Sequence, residues 1–313
     1  MKILITGGAG FIGSNFCHYV YNRNDDFVVL DALTYASNLN YIQDLIDKPN
    51  FRFVKGNIVD VKLVDELFAK ERFDIVINFA AETNVDTSVY NSQIFIDSNI
   101  TGVRVLLDAC KKYSVGRFHQ VSTDEVYGEL LDDKTQFYEG SELKPNNPYS
   151  ITKAAADLLI LSYHKMFGVN VTISRCTNNY GIYQHKEKFI PKSITHVLQN
   201  ENIELHGDGK NIRDWINVLD HCQGIDKIVK YGKSGEIYNV GSNNEKTNLY
   251  IANLILKTVG KDGPGIVLVK DRMTNDKRYS INYDKISKEL GYAPKFTFEN
   301  SFKDIVAWYK NNA

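Results

Sequence analysis

Five side chains in the middle of this sequence have the types and spacing to move protons. Tyr149 and Lys153 stand four apart, just after Asn147-Pro148, and proline suits the first turn of a helix. On a helix that spacing puts them on one face. An ammonium beside a phenol favours the phenolate and makes a base usable near neutral pH. The same spacing, taken alone, also describes an ordinary surface pair. Upstream, Ser122-Thr123 closes an apolar run, where a hydroxyl at the C-terminal end of a parallel strand would face a ligand crevice. Asp124 and Glu125 follow directly. A simple dehydrogenase needs neither; two further acids permit proton removal at one carbon and leaving-group protonation at its neighbour. From spacing alone, an exposed acidic loop accounts for them equally well.

Such groups need a scaffold, and the first half of the chain supplies one. Lys2–Thr6, Phe27–Asp31, Phe51–Lys55, Asp74–Ala80, Phe118–Thr123 and Val171–Arg175 read as strands. Residues 13–22, 61–70, 99–113 and 149–167 carry helical spacing between them. Strands that are apolar throughout, with helices between, predict an α/β fold: a Rossmann-type, doubly wound parallel sheet. Thr6-Gly7-Gly8-Ala9-Gly10-Phe11-Ile12-Gly13 joins the first strand to the first helix. Glycines there allow a sharp turn that brings backbone N–H groups against a pyrophosphate. Asp31, 18 residues beyond Gly13, can accept from an adenosine ribose and would repel a 2′-phosphate, which predicts NAD rather than NADP. Residues 1–175 are expected to form the NAD-binding domain. Residues 176–313 would form a smaller substrate domain, with parts of 214–240 folding back onto the first.

Composition narrows the classes. The chain has 313 residues, 43% of them hydrophobic, with 37 basic against 38 acidic side chains. That length suits two cores in contact, and no basic surplus is present to neutralise a nucleic acid. Cys17, Cys110, Cys176 and Cys222 form no CxxC pair, and His18, His119, His164 and His221 show no ligand spacing. No metal site is therefore expected. A reducing, cytoplasmic setting is the simplest reading, with no membrane span.

With the glycine-rich turn, Thr123, Tyr149 and Lys153 in place, the chain resembles the extended short-chain dehydrogenase/reductases. The Thr123-Asp124-Glu125 triplet narrows this to the nucleotide-sugar 4,6-dehydratases. Further segments similar to that family are Asp31–Asn38, Phe79–Glu82, Arg175–Gly181, Glu187–Pro191, Gly207–Trp215 and Asn244–Asn248. The resemblance implies a lyase with a closed redox cycle on bound NAD. Tyr149 would take the C4 hydroxyl proton of a hexose, Thr123 would bond the C4 oxygen and Lys153 would hold the nicotinamide ribose. Glu125 would remove the C5 proton and Asp124 would protonate the departing C6 hydroxyl. It implies NAD contacts from Gly7, Gly10, Phe11, Ile12, Gly13, Asp31, Leu33, Thr34, Asn57, Ile58, Ala80 and Ala81, besides Tyr149 and Lys153. Glu82, Asn178, Glu187, Lys188, Phe189, Arg213, Asn244 and Arg272 would bind the nucleotide-diphosphate sugar, and a homodimer would pair helices 99–113 and 149–167.

Several positions depart from the family pattern. Thr83-Asn84-Val85-Asp86-Thr87-Ser88 lacks a usual histidine and arginine, Ile182 replaces a proline, and Asp271-Arg272-Met273-Thr274-Asn275-Asp276 lacks another histidine. dTDP-glucose is the leading substrate, with UDP-glucose or UDP-N-acetylglucosamine as alternatives. A nucleotide-sugar 4-epimerase and a silent NAD-binding scaffold are the rival functions.

Overall fold

The computed structural model describes residues 1–272 and 275–312; Met273 and Thr274 of the segment just named, and Ala313, lie outside the described residues. Twelve strands run in chain order among the described residues: β1 (Lys2–Thr6), β2 (Asp26–Asp31), β3 (Phe51–Lys55), β4 (Ile75–Asn78), β5 (Arg117–Thr123), β6 (Val171–Cys176), β7 (Asn178–Tyr180), β8 (Ile203–His206), β9 (Ile212–Asn217), β10 (Glu236–Val240), β11 (Glu245–Thr247) and β12 (Ile266–Val269). Seven of them form one sheet in the order β10-β6-β5-β4-β1-β2-β3. Every pairing in it is parallel. This is a Rossmann-type sheet.

Alternation along each strand sends side chains to two separate cores. Leu4, Val28, Val76, Phe118 and Ile173 lie on one face, with Val64, Leu106 and Ile160 of the helices Val61–Glu71, Gly102–Lys112 and Pro148–Phe167 over them. Ile3, Ile5, Val29, Ile77 and Val121 lie on the other, under Phe16 of Phe11–Val20 and Cys222 and Ile225 of Val218–Tyr231. Neither face meets water, so the strands carry no polar alternation.

The second half contributes two kinds of structure. β10 pairs with β6 and helix Val218–Tyr231 covers the second face. A third core instead gathers Ile194, Ile251, Ile255, Phe302 and Ile305 from helices Phe189–Leu198, Asn248–Val259 and Phe298–Asn312. Beside it lie a β11-β9-β7 sheet and a β12-β8 pair.

The helix expected over 13–22 runs Phe11–Val20, and two elements are shorter than expected. The strand expected over Asp74–Ala80 pairs only through Ile75–Asn78, because beyond Phe79 the chain turns and Ala80 lies against the backbone of Gly7. The helix expected from Asn99 is α-helical from Gly102, after a wide π turn over Asp97–Thr101. There the Asn99 amide is bonded to the Glu82 backbone, accepting from its N–H at 2.9 Å and donating to its C=O at 3.0 Å. All four cysteines are free and buried. Among the described residues no helix is long and apolar enough to cross a membrane.

Candidate active site

The strand order reverses between β1 and β4, and the crevice beyond the carboxyl ends of the strands opens there. The turn after β1 is as tight as its glycines predict. Gly7 has φ +72°, and a Cβ there would stand 2.6 Å from the Ala80 nitrogen; one on Gly13 would stand 2.2 Å from the Gly7 oxygen. No side chain caps the helix that starts after Gly10, so its first N–H groups remain free for an anion. Asp31 is buried with both oxygens engaged, accepting from the Ala9 N–H at 2.9 Å and the Leu33 N–H at 2.8 Å. Each oxygen keeps a second lone pair for a ribose hydroxyl. These residues fit a dinucleotide: a glycine cradle that a Cβ would fill, an uncapped helix N-terminus and an oriented carboxylate.

Across the cleft, the helix Pro148–Phe167 begins at a reciprocal cap. The Asn147 side chain accepts from the Ser150 N–H at 2.9 Å, and the Ser150 hydroxyl accepts from the Asn147 N–H at 3.3 Å. A buried Arg175–Asp157 pair at 2.9 Å ties this helix to β6. Tyr149 and Lys153 sit on its buried side. The Lys153 ammonium donates to the Val121 carbonyl at 2.7 Å, and burial lowers its pKa. Burial pushes the Tyr149 phenol well above its ordinary range; Glu125 and Cys176 add to this, and the Thr123 hydroxyl opposes it. Desolvation therefore opposes the ammonium-lowered phenol expected from the four-residue spacing.

Thr123 ends β5 and starts a short turn over Asp124–Tyr127, accepting from the Glu125 N–H at 3.3 Å. Its two carboxylates meet different surroundings. Asp124 is buried, and one of its oxygens has no hydrogen-bond partner. Desolvation raises its pKa well above the carboxylate range, and Glu125 and Asp214 add to this. Glu125 is partly buried; desolvation raises it too, but Lys188 and Arg213 pull it down. Neighbouring carboxyls with unequal environments are what divides acid from base.

The third core's lobe closes the cleft. Asn178, Glu187, Lys188, Phe189, Arg213 and Arg272 line it, with Glu82 from the opposite wall. Arg213 does not pair with Asp214, since successive strand residues face opposite ways. Asp214 instead accepts from the Ser242 and Asn244 N–H groups at 3.0 and 2.7 Å. Arg213 donates to the Ile212 carbonyl at 2.8 Å, and its guanidinium lies over the Tyr279 ring. Lys188 donates to the Thr83 carbonyl at 2.9 Å; Glu187 accepts from the Asn84 amide at 2.7 Å; Arg272 meets Asp86 at 3.3 Å.

Apart from two residues, every predicted site residue lines this one cleft. The Leu33 side chain packs on the second core. Asn244 is taken up by the β9 turn, its amide also donating to the Trp215 carbonyl at 3.4 Å. The lining further includes Ser122, Cys176, Thr177, Gln184, Trp215, Asp276 and Tyr279. Ser122, Thr177, Gln184 and Trp215 each carry a buried polar atom with no partner. Only the flanking segments that resemble the family could have signalled some of them; isolated hydroxyls and an indole have no pattern of their own.

The comparisons with known proteins agree with this geometry. The family model described as GDP-mannose 4,6 dehydratase matches residues 4–305. A dTDP-glucose 4,6-dehydratase of Actinoplanes sp. is 44% identical over all of this chain and 98% of its own length. The low-salt glycan biosynthesis protein Agl12 of Haloferax volcanii is 46% identical over 99% of this chain and 98% of its own. Among solved structures, a dTDP-glucose 4,6-dehydratase of Streptomyces venezuelae with NAD and TYD bound superposes with a TM-score of 0.94 at 41% identity, covering 100% of this chain and 98% of that one.

Proposed function

The chain belongs to the nucleotide-sugar 4,6-dehydratase family of extended short-chain dehydrogenase/reductases, and on that premise we propose that it is an NAD-dependent hydro-lyase converting dTDP-glucose to the dTDP-4-keto-6-deoxy sugar for deoxysugar synthesis. NAD, when bound, would supply the hydride acceptor for oxidation at C4 and the hydride for reduction at C6. The glycine turn, Asp31, Thr34, Asn57, Ile58, Ala80 and Ala81 would hold it. Tyr149 takes the proton of the C4 hydroxyl, with Thr123 bonded to the same oxygen. Lys153, buried beside them, supplies the positive charge that a phenolate needs in a desolvated site. The 4-ketone acidifies the C5 proton, which Glu125 removes, and a proton goes back to C5 as C6 is reduced. Asp124 gives its proton to the C6 hydroxyl, which leaves as water. Arg213, Arg272 and Asn178 would contact the diphosphate, and Glu187 and Lys188 would line the sugar–nucleotide site.

The observation that carries this reading is the unequal pair at Asp124 and Glu125. A 4-epimerase needs no acid and base for C5 and C6, and a scaffold has no use for a buried carboxyl with one oxygen left unpartnered. Incubation with dTDP-glucose, UDP-glucose and UDP-N-acetylglucosamine, followed by mass measurement, tests it. The expected result is loss of one water from dTDP-glucose with no accumulation of NADH. Steady NADH accumulation, an isomer of unchanged mass, or no turnover of any of the three would overturn it.

Residues 1–175, with parts of 214–240 folded back onto them, and residues 176–313 are read as the cofactor and sugar-nucleotide domains, in a cytoplasmic homodimer. Support for the dimer comes from the Pro148–Phe167 helix, which exposes Ile151, Leu158 and Met166.

A further inference from the structure

Tyr279 has no role in the chemistry above, yet it lines the cleft with 5% of its surface exposed. The centre of its ring lies 4.5 Å from the guanidinium carbon of Arg213. Its hydroxyl donates to Asp276, itself buried at 9% exposure, and the other Asp276 oxygen accepts from the Asn146 amide at 2.9 Å. Asn146 immediately precedes the Asn147 cap of the helix that carries Tyr149 and Lys153.

Arg213 has few other restraints. One nitrogen donates to the Ile212 carbonyl at 2.8 Å, and another reaches the Asn275 amide oxygen only at 3.5 Å. No carboxylate lies within ion-pair distance of it among the described residues. Its guanidinium plane is therefore set by the ring beneath it. Aromatic stacking leaves all in-plane N–H groups free, whereas a carboxylate partner would occupy them.

We propose that Tyr279 is a positioning residue that orients Arg213 for bidentate capture of the substrate's diphosphate, with Asp276 and Asn146 fixing the ring relative to the catalytic helix. The proposal rests on the reading of Arg213 as a diphosphate ligand. It gives the phosphate grip a rigid connection to the proton-transfer groups. Stacking also keeps a charged side chain partly buried with most of its donors unspent, whereas a bidentate ion pair would take two of them.

The test is calorimetric titration of the NAD-loaded enzyme with dTDP and, separately, with dTMP. Arg213→Gln and Tyr279→Leu are each expected to weaken dTDP binding about tenfold while moving dTMP less than about twofold. The double variant should bind dTDP no more weakly than Arg213→Gln alone, since residues acting through one contact are not additive. Tyr279→Phe keeps the ring and should hold dTDP within about threefold of the parent; it decides the matter if the leucine variant does not fold. Parental dTDP affinity in Tyr279→Leu, equal losses for dTDP and dTMP, full additivity with Arg213→Gln, or a tenfold loss in Tyr279→Phe would each overturn the proposal. If Arg213→Gln itself binds dTDP normally, the underlying reading of Arg213 falls, and the proposal with it.

Discussion

Asp124 and Glu125 are adjacent in sequence and alike in chemistry, and the site treats them differently through solvation and neighbouring charge. Asp124 is shut away with a free oxygen, while Glu125 sees Lys188 and Arg213. A carboxyl whose folded pKa exceeds its unfolded value binds a proton that the unfolded chain has released. It therefore loses stability as pH climbs from its unfolded value toward the raised one. Asp124→Asn keeps the hydrogen-bonding shape and cannot ionise. It is expected to lower kcat about 100- to 1,000-fold while stabilising the protein by about 1–2 kcal/mol near neutral pH. That gain should grow as pH rises above about 4, where the unfolded carboxyl ionises, read from guanidinium denaturation at each pH. An Asp124→Asn variant with full turnover would remove the acid from the mechanism.

At the scale of an element, the turn between β1 and the helix Phe11–Val20 depends on atoms that are absent. A Gly13 Cβ would meet the Gly7 oxygen at 2.2 Å and the Gly8 Cα at 2.8 Å. Both are backbone, so the turn itself would have to move. Gly13→Ala should weaken NAD binding more than about tenfold and lower Tm by several degrees, measured by cofactor titration and calorimetry. Gly140, in a loop with nothing within 4 Å of its Cβ position, is the control. Gly140→Ala should leave NAD binding alone and stabilise by a few tenths of a kcal/mol, roughly, through the unfolded chain.

The whole molecule buries two histidines that take no part in the chemistry. His119 lies inside the large sheet between the Thr172 and Ser174 hydroxyls at 2.9 and 3.2 Å, and His221 meets the Asn179 amide oxygen at 2.9 Å. Burial lowers each to about 3. A lowered histidine is neutral when folded and takes up a proton on unfolding, so its contribution is present above about pH 6.5 and is lost as pH falls toward 3. Each should cost about 1.4 kcal/mol per pH unit within that window. Between pH 7 and about pH 5 the denaturation midpoint of His119→Gln should fall less, or rise more, than the parent's. Identical pH dependence in the two would contradict the burial assigned to His119.

Local patterns carried a great deal here, and the reason is physical. A doubly wound sheet buries both faces, so its six main strands read as apolar runs. A pyrophosphate turn tolerates nothing larger than glycine at Gly7 and Gly13, so it is visible as spacing. Tyr149 and Lys153 share a face because a helix repeats every 3.6 residues. These features follow from neighbours in the chain, and the family segments extended them to most of the cleft lining. The packing of distant parts decided the remainder. Leu33 turned to the core and Asn244 to the β9 turn because Asp31 and Asp214 needed their backbone N–H groups. Tyr149 rose in pKa because the closed lobe desolvates it, an effect that spacing cannot carry. The unequal acids at 124 and 125, and the Tyr279 ring under Arg213, exist only where segments 65 to 150 residues apart meet. Spacing along the chain specifies which groups can react; their protonation and aim depend on what the folded chain places around them.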